Sequence, residues 1–317
     1  MNENSNDVMA VGLADYGGPE VLQVVRLRPE SLEPGHVRLR VLAAAVNPTD
    51  VVVRTGGRAQ SDRPITIDVP GMDAAGVVTE IAPDVTSVAV GDRVIALVIP
   101  SGEHGAYRTD VVVPEATVTA APRGLTHAEA ATLPLNGMTG WLALRALALN
   151  AGDVLAVTGA AGALGGYVVQ LAKHAGLTVV ADASAEDRAL VSRLGADVVV
   201  PRGPGFAAAV REVYPDGVAG LVDASVQGAE VLPAVRDGGA VVTVRGYRGD
   251  GTDRVRVTPI ISIEAIGSGA LDEIRQLAEE RVLDPRVADV VPASEAQQAH
   301  RRLQAGGLRG RIVLDLS

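Results

Sequence analysis

From Met9 to about Ala121 the apolar positions come in short Val- and Leu-rich runs separated by Gly and Pro, as in VRLRVLAAAV, GMDAAGVVTEIA, DRVIALV and AYRTDVVV. Short strands at regular spacing with turn punctuation predict a compact, mostly β domain. The pattern changes near Thr126, where THAEAATLP offers Thr126 as an N-cap and Glu129 as its reciprocal partner, a capping box that opens a helix. From Asp153 onward apolar runs alternate with amphipathic stretches. VLAVTG leads into a helix with Leu164, Val168, Leu171 and Ala175 on one face, followed by LTVVADA and a helix over EDRALVSRLG. ADVVV, a short helix FAAAVREV, GVAGLVDAS, a helix over GAEVLPAV, and GGAVVTVRG continue the alternation. Continuous apolar strands alternating with helices predict a doubly wound parallel sheet covered on both faces. The tail reads as a helix LDEIRQLAEERV, then VADVVP, a helix SEAQQAHRRLQAG and a strand RIVLDL. Those last strands have no crossover partner of their own and are expected to return to the β domain. The expected organisation is an α/β chain in which residues 126–259 form a dinucleotide-binding domain inserted between 1–125 and 260–317, the two parts of a catalytic domain.

Charge and composition narrow the chemistry. The chain has 28 Lys and Arg against 38 Asp and Glu, a net charge of −10, which repels a nucleic-acid backbone or an anionic membrane. There is no Cys, which removes disulfides, thiolate zinc sites and a Cys nucleophile. The opening MNENSNDV lacks the basic and apolar regions of a signal peptide, and the apolar runs fall short of a bilayer span. The expectation is a cytoplasmic protein with a small-molecule partner, no nucleic acid and no membrane.

The strongest chemical signal is VTGAAGALGGYVVQLAKHAG, a strand ending at Thr158 and a helix opening near Gly162. Glycines 159, 162 and 165 allow a tight turn, close approach of a pyrophosphate and close helix-to-strand packing. The helix N-terminus then offers unpaired N–H groups to the phosphates. Gly159, Ala161, Gly162, Ala163, Leu164 and Gly165 are therefore the candidate pyrophosphate contacts. The end of the next strand, VVADASAEDR, carries the cofactor choice. Asp182 would accept from an adenosine ribose, or it is a strand-end turn residue; Ser184 and Arg188 would hold a 2′-phosphate. The small neutral positions after Asp182 favour NADPH over NADH.

With these residues in view, the chain resembles the zinc-independent quinone oxidoreductase branch of the medium-chain dehydrogenase/reductase superfamily. The matching stretches include AAAVNPTDVVVRTGG, VPGMDAAGVV, VGDRVIAL, EAATLPLNGMTGWLAL, the glycine turn, LGADVVV and AHRRLQAGGLRGRIVLDL. The resemblance implies a chaperonin-10-like β domain plus a Rossmann domain, a homodimer, and NADPH-dependent reduction of a quinone or an α,β-unsaturated carbonyl in the cleft between domains. Asn47 and Met72 stand where zinc members place catalytic ligands, so no metal is expected. Several members have a Tyr at the position of Val52. Asn47 and Asp50 are then the candidate catalytic polar groups. Thr139 matches a cofactor-contacting hydroxyl or is a helix N-cap. Gly246 and Tyr247 follow a strand at its ligand-binding edge, where Tyr247 walls the nicotinamide pocket or faces solvent. The loops GGRAQSDRPITIDVP and ALVIPSGEHGAY are expected to shape the pocket. The dimer is expected to use the sheet edge near the apolar run PIISIEAIG, Ile260 to Gly267. A short-chain reductase is excluded because its loop lies near the N-terminus and no Tyr is followed four residues later by Lys. A hydrolase is excluded for want of a GxSxG elbow. The alternative left open is a non-catalytic NADPH-binding sensor or scaffold on the same fold.

Overall fold

The computed structural model describes residues 7–57, 66–249 and 251–317. The first six residues of the polar opening and residues 58–65 of GGRAQSDRPITIDVP lie outside the described residues. The chain divides into two compact units, one comprising Met1–Leu135, Leu271–Glu279 and Pro285–Ser317, the other Asn136–Ala270 and Glu280–Asp284.

In chain order the first stretch contributes β1 (Val8–Gly12), β2 (Gln23–Leu27), β3 (His36–Ala45), α1 (Pro48–Arg54), β4 (Asp73–Ile81), β5 (Arg93–Leu97), β6 (Asp110–Pro114), β7 (Val118–Ala120) and α2 (His127–Ala130). The middle stretch contributes α3 (Pro134–Leu147), β8 (Val154–Thr158), α4 (Ala163–His174), β9 (Thr178–Ala183), α5 (Arg188–Arg193), β10 (Val198–Pro201), α6 (Phe206–Val213), β11 (Val218–Asp223), β12 (Val235–Thr243) and β13 (Arg256–Pro259). The tail adds α7 (Ala270–Glu279), β14 (Val287–Pro292), α8 (Ala296–Ala305) and β15 (Arg311–Asp315).

The β unit is built on a seven-stranded sheet in which β15 pairs antiparallel with β3 and β14 lies parallel beside β15. The tail strands thus return to the first unit, as their lack of a crossover partner predicts. Inward positions of β3, among them Val37, Leu39 and Val41, enter one core with Val94, Val111, Val113, Ile312 and Leu314, the period-two burial of a sheet with one covered face.

The second unit carries the doubly wound sheet. Six parallel strands run in the order β10-β9-β8-β11-β12-β13, so the winding reverses between β8 and β11. Leu155 and Val157 point to a layer that includes Ala143, Val168 and Val191 of α3, α4 and α5. Ala156 points the other way, to Phe206, Val210 and Val231. Two elements differ from expectation. GAEVLPAV forms a 3-10 helix, Gly228–Ala234, with Pro233 inside it, where the missing N–H and the ring clash disfavour an α-helix. The run PIISIEAIG is not a strand: β13 ends at Pro259, and Ser262–Ala265 is a 3-10 turn. Among the described residues no helix is long and apolar enough to cross a membrane.

Candidate functional site

The C-terminal edge of the parallel sheet collects the glycine turn and its supports. β8 ends at Thr158, and Gly159 turns the chain at φ +67°, which a side chain rarely adopts. A Cβ at Gly165 would lie 2.3 Å from the Gly159 carbonyl oxygen, so only glycine lets α4 pack this close to the turn. Gly162 is the N-cap of α4 and has no side chain to cap it. The first N–H groups of the helix, those of Ala163 and Leu164 among them, are left to a ligand or to water. At the point of reversal Thr158 Oγ1 donates to Asp223 Oδ1 at 2.8 Å, Gly228 N donates to Asp223 Oδ2 at 2.8 Å, and Ser225 N donates to Thr158 Oγ1 at 3.2 Å. These bonds fasten the ends of β8 and β11 to each other.

Asp182 is buried near the end of β9, and its Oδ1 accepts the Ala160 N–H at 3.0 Å. Burial pushes its carboxyl up, against the pull of the Ala160 N–H and the Arg202 charge. The side chain therefore serves the glycine turn rather than ending the strand as a solvent-facing turn residue. Ser184 is engaged in its own turn: its Oγ donates to Asp187 Oδ2 at 2.8 Å and accepts the Asp187 N–H at 3.3 Å. Arg188 is exposed and uses Nη1 on the Val199 carbonyl at 3.0 Å. Arg202 was not singled out from the sequence. Pro201 pairs with Ala183 in register, and Arg202 N donates to the Ala183 carbonyl, which sets Arg202 beside Ser184. Its exposed guanidinium has no hydrogen-bond partner among the described residues. The only sequence signal for it was a cation directly after a predicted strand.

Thr139 lies inside α3, several residues past Pro134, so the N-cap reading of it is corrected. Gly246 and Tyr247 follow β12. Tyr247 is half-buried, its carbonyl accepts from Thr243 Oγ1 at 2.7 Å, and its ring packs beside Gly228 with the Phe206 and Val231 layer. That is the face of the sheet opposite α4, and the solvent-facing reading of Tyr247 is corrected.

Asn47 and Asp50 belong to a buried polar cluster in the β unit. Asn47 is the N-cap of α1, with Pro48 favouring the helix start, and Asp50 completes a capping box by accepting the Asn47 N–H on Oδ2 at 2.7 Å. The two amide hydrogens of Asn47 go to the Ala45 carbonyl at 3.2 Å and to Asp73 Oδ2 at 2.7 Å. Asp73 Oδ1 accepts the Leu135 N–H at 2.6 Å and so caps the first turn of α3. Asp50 Oδ1 accepts from Gly71 N at 3.1 Å, and Oδ2 accepts from the Tyr107 hydroxyl at 3.0 Å. The same hydroxyl lies 3.2 Å from His300 Nε2, the rings meeting edge to face. Asn47, Asp50, Asp73 and His300 are all fully enclosed. Burial pushes Asp50 up to about 6 and Asp73 to about 7, with their hydrogen-bond donors and the nearby Arg311 opposing it. Burial, aided by Arg54, holds His300 down to about 3. Both amide hydrogens of Asn47 and both carboxylate oxygens of Asp50 are thus engaged within the cluster.

Among the described residues no three His, Asp or Glu side chains are grouped to hold a metal ion, and the positions of Asn47 and Met72 do not fit zinc. Zinc takes thiolate, imidazole or carboxylate ligands, whereas the chain has no Cys, Met72 is a buried thioether and Asn47 is committed as above. A dinucleotide does fit the glycine turn, where space that a Cβ would fill lies in front of orphan helix N–H groups.

Residues 33–123 match the alcohol dehydrogenase GroES-like domain family, and residues 175–314 match the zinc-binding dehydrogenase family. The chain is 33% identical over 242 residues to an NADPH-dependent alkenal/one oxidoreductase, chloroplastic, of Arabidopsis thaliana, covering 74% of this chain and 61% of that protein. It spans only about three-fifths of the length of that plant relative. It is 28% identical over 334 residues to the quinone oxidoreductase of Sus scrofa, covering 96% and 97% of the two chains. Among solved structures, an NAD-dependent alcohol dehydrogenase superposes with a TM-score of 0.83 at 30% identity, covering 98% of this chain and all of the other.

Proposed function

The chain belongs to the medium-chain dehydrogenase/reductase superfamily, and we propose that it is an NADPH-dependent oxidoreductase that passes hydride to a quinone or an α,β-unsaturated carbonyl without zinc. The observation that carries this reading is the glycine turn at the β8–β11 reversal point, backed by Asp182 and flanked by two exposed arginines. NADPH bound there supplies the hydride, and the nicotinamide chemistry is its own.

The chain's residues bind and orient. Gly159, Ala161, Gly162, Ala163, Leu164 and Gly165 would hold the pyrophosphate at the N-terminus of α4. Asp182, by accepting the Ala160 N–H, keeps that turn in shape. Arg188 and Arg202 would hold a 2′-phosphate as cations, a role in which Arg forms charge-assisted bonds; Ser184 orders the turn that carries Arg188. Thr139 and Tyr247 support the cofactor edge of the sheet from its two faces. Asn47 and Asp50 act as positioning residues within their own unit, through the cap of α1 and the bond from Asn47 to Asp73.

Stopped-flow and steady-state NADPH consumption against quinones, linear enones, 2-alkenals and enoyl thioesters tests the proposal. Turnover of at least one class is expected in metal-free buffer with chelator present. Tight NADPH binding with no turnover across the panel would leave the binding-only alternative.

A further inference from the structure

Helices α1 and α8 meet through two polar rungs. Asp50 and Arg54 are four residues apart and so share a face of α1; His300 and Gln304 share a face of α8 in the same way. The first rung runs from Asp50 through the Tyr107 hydroxyl to His300, and the second joins Arg54 Nη2 to Gln304 Oε1 at 3.1 Å. Between the rungs, groups are left over. Arg54 is 1% exposed, yet among the described residues its Nε and Nη1 have no partner and no carboxylate lies within ion-pair distance, Glu20 being near enough for its charge to favour the guanidinium. His300 is fully enclosed and its Nδ1 is likewise without a partner. Arg54 is close enough to His300 for its charge to disfavour the imidazolium.

Hydrogen-bond direction fixes what the orphan groups require. The Tyr107 proton goes to the Asp50 carboxylate, which also accepts from Asn47 N and Gly71 N. His300 must then donate through Nε2–H to the Tyr107 oxygen, and Nδ1 is left as a bare acceptor. On the neighbouring rung, Arg54 keeps two guanidinium N–H donors without a partner among the described residues. A metal cation is repelled by the guanidinium, and a halide accepts but cannot donate to Nδ1. A species that both accepts and donates matches both sides, and buried polar groups of native proteins are seldom left unmatched.

We propose that the space between Arg54 and His300 is an internal hydration site, in which ordered water accepts from Arg54 and donates to His300 Nδ1. The water fixes the Nε2–H tautomer of His300, which turns the Tyr107 hydroxyl toward Asp50, and Asp50 holds the cap of α1. Arg54 is thus a positioning residue for Asp50, acting through water, His300 and Tyr107.

The test is a high-resolution crystal structure of the wild-type protein, from crystals soaked in bromide, together with ¹⁵N NMR of the histidine rings. Expected are a water within hydrogen-bond distance of both Arg54 and His300 Nδ1, no anomalous bromide peak there, and the Nε2–H tautomer for His300. In Arg54→Met, the Nδ1 resonance should move toward that of an unbonded pyridine-type nitrogen. A dry gap, a bromide peak, or an Nδ1–H tautomer overturns the proposal. The wild-type measurements decide it even if the variant does not fold.

Discussion

Asn47 shows how a residue that looks chemical in a motif can be committed elsewhere. Its amide hydrogens hold Ala45 and Asp73, so Asn47→Ala should lower stability by the roughly 0.5–2 kcal/mol of a lost helix cap. Denaturant titration measures that loss, and turnover per folded molecule should change less than about twofold. A collapse of turnover at unchanged stability would return Asn47 to the chemistry. His300 makes a pH prediction. The unfolded chain takes a proton on this ring near 6.5, while the fold refuses it until about 3, so its contribution to stability falls as the pH drops through that window. Asp50 and Asp73 work in the opposite sense. Their raised values mean that the fold retains protons the unfolded chain has released, so their contribution falls as the pH rises from about 4 toward 7. The wild-type cluster balances the two trends. His300→Gln removes one of them, so the variant should gain stability relative to wild type on acidification from pH 6.5 to 4.5, by up to about 1.4 kcal/mol per pH unit. A difference that does not change with pH contradicts the assignment. On the cofactor side, Arg188→Ala and Arg202→Ala should each raise the Michaelis constant for NADPH about tenfold, in line with the roughly 1.5–3 kcal/mol of a charge-assisted bond, and leave that for NADH nearly unchanged. Equal effects on both cofactors would sink the phosphate role.

Among the elements, the turn into α4 makes the sharpest distinction. At Gly162 the nearest atom to an added Cβ is the Gly159 oxygen at 3.1 Å, whereas at Gly165 it is that same oxygen at 2.3 Å. Gly162→Val should therefore fold and lose NADPH affinity tenfold or more, because its side chain stands where the pyrophosphate belongs. Gly165→Ala should lose stability as well as affinity, because α4 must move off the strand. Binding and thermal melts of the two variants separate these effects, and a Gly162→Val protein that binds NADPH normally would displace the cofactor from this turn. These elements were readable because their signals are local. The strand-to-helix glycines lie within one turn, and the Thr126–Glu129 capping box closes with bonds of 2.8 and 3.2 Å between residues three apart. What was not readable depended on pairs remote in sequence. Asp73 reaches Asn47 across 26 positions and His300 reaches Tyr107 across 193, and no periodicity announces such partners. Arg202 matters only because strand register sets it beside Ser184.

For the whole molecule, a homodimer remains our proposal, with its basis shifted. One edge strand of the parallel sheet is β13, and just beyond it the exposed Ile261 and Ile263 lie in a turn rather than a strand. An edge strand flanked by exposed apolar residues invites a second copy. Light scattering should give twice 32.5 kDa at micromolar concentration, and a monomer mass rejects it. The central claim is NADPH-dependent reduction of an electron-poor carbonyl acceptor by a site that needs no metal. Its most direct measurement is the rate of NADPH oxidation with a quinone and an enone, each assayed after exhaustive chelation and again after zinc addition. The account predicts turnover of at least one acceptor, faster with NADPH than with NADH and unchanged by zinc. Activity that appears only when zinc is restored, or a preference for NADH, would contradict it.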